Sequence, residues 1–226
     1  MLREIVLDTE TTGMDPATGD RLVEIGCVEL INHLPTGKHY HIYINPERDI
    51  PSEATAVHGI TNEFVKDKPT FGEVVGEFTD FVGDDKLVIH NAEFDTKFLN
   101  AELRKFGFPS LDNRRVFDTL RMAREKFPGS PANLDALCRR FGIDNSSRTF
   151  HGALLDAQLL AEVYLELLGG RQQGLGIGEV KKETAVQNSV SVERAYREPR
   201  PFSVSEDEQK NFDAMLEKIK NPIWKS

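Results

Sequence analysis

Ile5-Val6-Leu7-Asp8-Thr9-Glu10-Thr11-Thr12-Gly13 carries an apolar run that ends in two carboxylates one residue apart. Three apolar residues in succession, with Gly13 closing the stretch, predict a strand buried on both faces. Side chains alternate along a strand, so Asp8 and Glu10 project to one side if the strand continues through them. Like charges so placed repel. In apolar surroundings they stay together only with a cation or a shared proton. The alternative is a solvated strand end with two surface acids, and residues far downstream decide between the two.

At 226 residues the chain has room for one domain with a well-buried core and an appendage. No apolar run approaches membrane-spanning length, and Met1-Leu2-Arg3-Glu4 leads straight into a strand rather than a signal peptide. A cytoplasmic protein without a membrane partner is the expectation. Cys27 and Cys138 each lie among apolar neighbours, which predicts two buried thiols rather than a disulfide and agrees with a reducing compartment. The net charge of −9 is unevenly spread: residues 1–170 hold 18 Lys/Arg and 28 Asp/Glu, a balance of −10. So acidic a body binds polyanions poorly through long-range attraction. Metal ions in an acidic cleft reverse that locally, and so does a partner that delivers the substrate.

After the first strand, Leu22 to Leu34 is long and rich in branched residues, and His39 to Ile44 alternates. Pro35-Thr36-Gly37-Lys38 between them has turn chemistry, predicting an antiparallel hairpin turning there. Short helices are expected over 52–57, 61–65 and 71–82, punctuated by Gly59 and Pro69. Lys86 to His90 reads as a strand running into Asn91, the expected N-cap of a helix through about Phe106. A short strand at 115–118, helices at 119–127 and 134–141, and a periodic helix from Gly152 to Leu168 complete the pattern. A meander followed by alternating strands and helices is an α/β domain with a mixed sheet. Beyond Gly170, glycines at 174, 176 and 178 mark a flexible linker over 171–190. In the tail, residues 191–226, Ser205-Glu206-Asp207-Glu208 fits a capping box, and Phe212, Met215, Leu216 and Ile219 fall at helical spacing. So short an amphipathic helix needs a surface to dock on.

Asp95 sits one turn into its helix on the stripe of Leu99 and Phe106, and Asp156 shares a face with Leu160, Val163 and Leu167. A charge on an apolar face is the informative kind of polar residue. Neither has a Lys or Arg three or four residues away, so an intrahelical ion pair is excluded. His151 precedes Asp156 by five residues, about 500° of helix, so the two cannot share a helical face and His151 belongs to the loop before the helix. Near four carboxylates, it suits a base near its working pKa. This donor set favours Mg²⁺ or Mn²⁺ over zinc. Two such ions about 4 Å apart hold the attacking and leaving oxygens of an in-line phosphoryl displacement, so phosphodiester hydrolysis follows.

Asp8-Thr9-Glu10, Asn91-Ala92-Glu93-Phe94-Asp95 and His151-Gly152-Ala153-Leu154-Leu155-Asp156, in that order, resemble the three motif blocks of the DEDDh class of 3′ to 5′ exonucleases on the ribonuclease-H-like fold. Glu53, Val57-His58-Gly59-Ile60 and Leu134-Asp135-Ala136-Leu137-Cys138 extend the likeness toward the DnaQ-like epsilon proofreading subunits of bacterial DNA polymerase III, over residues 3–170. The resemblance implies a mixed five-stranded sheet flanked by helices and an exonuclease domain at 1–170. Asp8 would bridge two divalent cations, Glu10 and Asp156 would complete the tighter site, and Asp95 would hold the second ion through water. His151 would deprotonate the attacking water. Thr9, Glu53 and His58, with the ligand carboxylates Asp8, Glu10 and Asp156, would contact the terminal nucleotide of a DNA 3′ end. The tail would dock on the polymerase III alpha subunit. Gln172-Gln173-Gly174-Leu175-Gly176-Ile177 is similar to peptides that bind the sliding clamp. The rival readings are a ribonuclease T or oligoribonuclease-like enzyme acting on RNA, and a non-catalytic subunit that only stabilises the polymerase.

Overall fold

The computed structural model describes residues 1–146, 148–170 and 204–218. The chain divides into two compact units, Met1–Gly176 and Ile177–Ser226. The linker, the clamp-like peptide 172–177, Ile219 and Trp224 lie outside the described residues.

The first unit is built on one sheet. Strands β1 (Arg3–Thr11), β2 (Leu22–Ile31), β3 (Leu34–Tyr43), β4 (Lys86–Ile89) and β5 (Val116–Asp118) lie in the order β3-β2-β1-β4-β5. β1 to β3 pair antiparallel, whereas β4 pairs parallel to both β1 and β5. The sheet is therefore mixed, as expected. Ile5, Val6 and Leu7 are wholly buried, and they alternate between two cores. Ile5 and Leu7 pack with α3 (Phe71–Val82) and α4 (Ala92–Lys105); Val6 packs on the opposite face with α5 (Thr119–Lys126), α6 (Leu134–Phe141) and α7 (Ala153–Leu167). Each such side chain contributes roughly 1.5–3 kcal/mol of transfer free energy. Cys27 and Cys138 are buried and unpaired. Among the described residues no helix is long and apolar enough to cross a membrane.

The hairpin turns elsewhere than expected. Asn32 and His33, at φ 50° and 69°, connect Ile31 directly to its partner Leu34. Positive φ at both central residues is the primed turn whose twist matches that of the strands. The turn-like residues Pro35 to Lys38 lie inside β3, where the register slips between Val28 and Leu30. Gly37, at φ 88°, takes up the bulge, and the Thr36 hydroxyl bonds Glu29 at 2.8 Å.

Short helices α1 (Ser52–His58) and α2 (Asn62–Val65) follow the sheet meander. Asn91 occupies the N-cap of α4 but at φ 64° makes no side-chain cap bond. Its backbone N–H is held by Asp118 Oδ1 at 3.1 Å, so the start of α4 is fixed from β5 instead. α7 is fixed at both ends. The Tyr164 hydroxyl donates to buried Glu4 of β1 at 2.8 Å, and Lys86 reaches the same pair. At the other end the first turn of α7 lies on Gly26 of β2: a Cβ there would sit 2.3 Å from Ala153 C and Leu154 N. Gly26 is the cross-strand partner of Asp8. That contact sets how close α7 comes to the end of β1.

In the second unit, α8 (Glu206–Leu216) starts at the expected capping box: Ser205 and Glu208 bond reciprocally, and Phe212 and Met215 are exposed.

Candidate active site

The carboxyl ends of parallel strands are where open α/β sheets place their sites, and the acids gather there. Asp8 and Glu10, two apart on β1, share the α7 face, where Asp156 lies in the first turn of that helix. Thr9 points to the other face and donates its hydroxyl to Asp95 Oδ1 of α4 at 2.7 Å. One strand end thus reaches both helices. Donor atoms of Glu10, His151 and Asp156 all lie within 4.8 Å of one another. A cleft of about 440 Å³ is lined by Asp8, Thr9, Glu10, Asp95, His151 and Asp156, together with Met14, His90, Asn91, Phe94, Asn133, Leu134, Asp135 and Arg148.

His151 lies on the loop before α7, 49% exposed, its Nδ1 3.4 Å from Asp156 Oδ2. Its backbone N–H bonds Val57 O of α1 at 3.1 Å. The five sequence-selected residues Asp8, Glu10, Asp95, His151 and Asp156 therefore meet in one cleft.

Glu53 and His58 do not enter that cleft. They line an adjoining cavity of about 460 Å³ with Thr11, Pro51, Ala54 and Val57, and Glu10, Met14 and Phe94 border both. Buried His58 accepts from Ile60 N–H at 3.0 Å through Nδ1, while its Nε2 has no partner among the described residues.

Asp8 is pushed well above the ordinary carboxylate range by burial, then by the charges of Asp95, Glu10 and Asp156. Glu10 is pushed up to about 8, by burial first and then by Asp156 and Glu24, which lies opposite it on β2. Burial also raises Asp95, against the Thr9 hydrogen bond that favours its ionised form. Acids so crowded fit a divalent cation by their chemistry, because a bound ion would remove the repulsion. An acid whose folded pKa lies above its unfolded value binds more protons folded than unfolded in the interval between, and stability falls as pH rises there. In chelator, the melting temperature of Glu10→Gln should therefore fall less than that of the wild type between pH 4.5 and 8. Parallel pH profiles of the two proteins would contradict this.

Sequence reasoning missed Arg148. The absence of an intrahelical pair holds, but Asp156 has a cation from outside its helix. Arg148 Nε and Nη2 bond the two Asp156 oxygens at 2.6 Å each, its Nη1 bonds Asp135 at 2.8 Å, and Nη2 lies 2.8 Å from His151 Nδ1. With Arg148 7% and Asp156 3% exposed, this is a buried bidentate pair. Its one sequence signal is a basic residue three before His151 in a loop without periodicity. Glu24 likewise reads only as part of a strand, and Asp135 only within a helical segment of the family likeness, with no partner assigned.

A mixed sheet with this acid cluster at its parallel strand ends defines a nuclease of the ribonuclease-H-like class. An exonuclease family model matches residues 5–164. DNA polymerase III subunit epsilon of Rickettsia conorii is 55% identical over 83% of this chain and 82% of its own length. The subunit of the same name from Escherichia coli K12 is 46% identical over 89% and 86%. Among solved structures, exonuclease X in complex with 5′ overhanging duplex DNA is 26% identical, with a TM-score of 0.59 over 73% of this chain and 90% of that one. The nuclease domain of 3′hExo, a DEDDh family member, shares the fold at 22% identity and TM-score 0.64, covering 74% and 91%. The chain belongs to the exonuclease family, among the DNA polymerase III epsilon subunits. It is a 3′ to 5′ exonuclease, and use of divalent metal goes with that family.

Proposed function

We propose that the chain proofreads DNA synthesis in the cytoplasm by hydrolysing the last phosphodiester of a frayed 3′ end, releasing a nucleoside 5′-monophosphate. The observation that supports this best is the approach of Glu10, His151 and Asp156 to within 4.8 Å beside Asp8 and Asp95. Asp8, Glu10, Asp95 and Asp156 would hold two divalent cations, Mg²⁺ or Mn²⁺. When bound, these ions neutralise charge developing on the phosphoryl oxygens. His151, on its exposed loop, takes the proton of the attacking water; the water oxygen bonds phosphorus and the bond to the upstream 3′ oxygen breaks. The cavity of Thr11, Glu53, Val57 and His58 receives the terminal nucleoside, and His58 Nε2, without a hydrogen bond of good geometry among the described residues, is a polar atom beside it. Thr9 both contacts the terminal nucleotide and orients Asp95.

A 3′-mismatched primer with Mg²⁺ should lose single dNMPs, and chelator should stop the release. His151→Gln should keep metal and DNA binding and slow single-turnover cleavage about 10²- to 10⁴-fold. Undiminished cleavage by that variant, or preference for an RNA oligomer over DNA, would overturn the reading. The tail helix α8 is the docking element for the polymerase III alpha subunit, and Gln172–Ile177 is the candidate clamp peptide. Equal co-elution with that subunit by the full chain and by one cut at residue 190 would contradict the tail assignment.

A further inference from the structure

The acidic cleft is flanked on two sides. One flank is the cavity of Thr11, Val57 and His58, which shares Glu10, Met14 and Phe94 with the cleft. The other is a trough of about 550 Å³ that shares His90, Asn91 and Asn133 and extends to Arg124 and Ser130. Their chemistry differs. Both have apolar walls, but the polar groups of the first include the acids Glu10, Asp20 and Glu53, whereas the second carries no acid among the described residues and offers amides, a hydroxyl and the Arg124 guanidinium.

A phosphodiester at the carboxylates has a terminal nucleoside on one side and, on the other, the remaining strand with one negative charge per phosphate. Only the second needs cations. Arg124 is exposed and, among the described residues, has neither an ion-pair nor a hydrogen-bond partner, although the body around it is strongly acidic. Arg121, one turn away, pairs with Glu125 at 3.1 Å, and Lys97 on α4 pairs with Asp15 at 2.8 Å. Asn133 uses its carbonyl to cap α6 through Ala136 N–H at 2.8 Å, which leaves its amide N–H groups to donate.

We propose that this trough binds the backbone phosphate upstream of the scissile bond, with Arg124 as its cationic contact and Asn133 as a neutral donor. The strand then runs from the Arg124 trough across the carboxylates to the His58 cavity. This rests on the exonuclease reading of the site, and two substrates separate the claims. The p-nitrophenyl ester of thymidine 5′-monophosphate offers a terminal nucleotide and a scissile bond but no upstream phosphate; a ten-nucleotide single strand offers both.

Arg124→Ala should raise KM for the single strand about tenfold with kcat unchanged, and reduce the salt slope of binding by about 0.7. Arg124→Lys should recover most of that loss, and the ester should be hydrolysed by both variants at the wild-type rate. An unchanged KM for the strand, or an equal loss on the ester, would overturn the trough assignment. Wild-type protein that hydrolyses neither substrate would instead overturn the exonuclease site itself.

Discussion

Asp8→Asn should abolish exonuclease activity yet leave the metal-free protein more stable than the wild type. The activity loss follows from removing a carboxylate proposed to hold both cations. An ion's transition-state stabilisation amounts to several kcal/mol, and about 4 kcal/mol is about 10³-fold in rate. The gain in stability follows from the crowding of Asp8 by Asp95, Glu10, Asp156 and Glu24, which burial amplifies. A neutral amide of the same shape removes that repulsion. Asp156→Ala should behave differently, although it should be equally inactive. Arg148, 7% exposed, would lose its bidentate partner and keep only Asp135, and breaking a buried pair costs at most about 3–5 kcal/mol. Melting curves in chelator, with cleavage rates on one DNA oligomer, check both: the account requires Asp8→Asn to melt above the wild type and Asp156→Ala below it. Nothing in the sequence around Asp156 predicts that stability cost, because its partner Arg148 sits on a loop eight residues away.

Gly26→Val should also lose activity, without touching any carboxylate. The added side chain starts 2.3 Å from the backbone of Ala153 and Leu154, so the first turn of α7 must lift from β2. Asp156 and the His151 loop move with it. A displacement of about 1 Å at the reacting groups costs about 10²-fold, and overpacking of this kind costs about 1–3 kcal/mol in stability. A far-ultraviolet spectrum like the wild type's, with kcat reduced and the Tyr164–Glu4 end of α7 intact, is the expected result. Full activity in Gly26→Val would show that α7's seat on β2 does not set the site.

Much of the site was legible because its residues break local rules. Asp95 and Asp156 are charges on apolar helical faces, and Asp8 and Glu10 end a run that is buried on both sides. The features that escaped are those whose cause lies across the fold. Arg148 has no periodic context, and only the folded loop places it on Asp156. Gly26 passes without signal inside its strand, yet the first turn of α7 requires it. Pro35 to Lys38 looked like the hairpin turn, but the pairing of Ile31 with Leu34 puts the turn at Asn32 and His33, and Gly37 serves a bulge. Asn91 matched an N-cap by residue type, whereas Asp118, on a strand 27 residues later, holds its N–H.

The most direct measurement counts bound metal. Full-length chain titrated with Mn²⁺ beside a non-hydrolysable oligonucleotide, with free ion read by electron paramagnetic resonance, should bind two ions per chain. The Asp8→Asn chain should bind fewer at the same concentrations. Two ions held by Asp8→Asn with wild-type affinity would contradict the assignment of the strand-end carboxylates as the metal site.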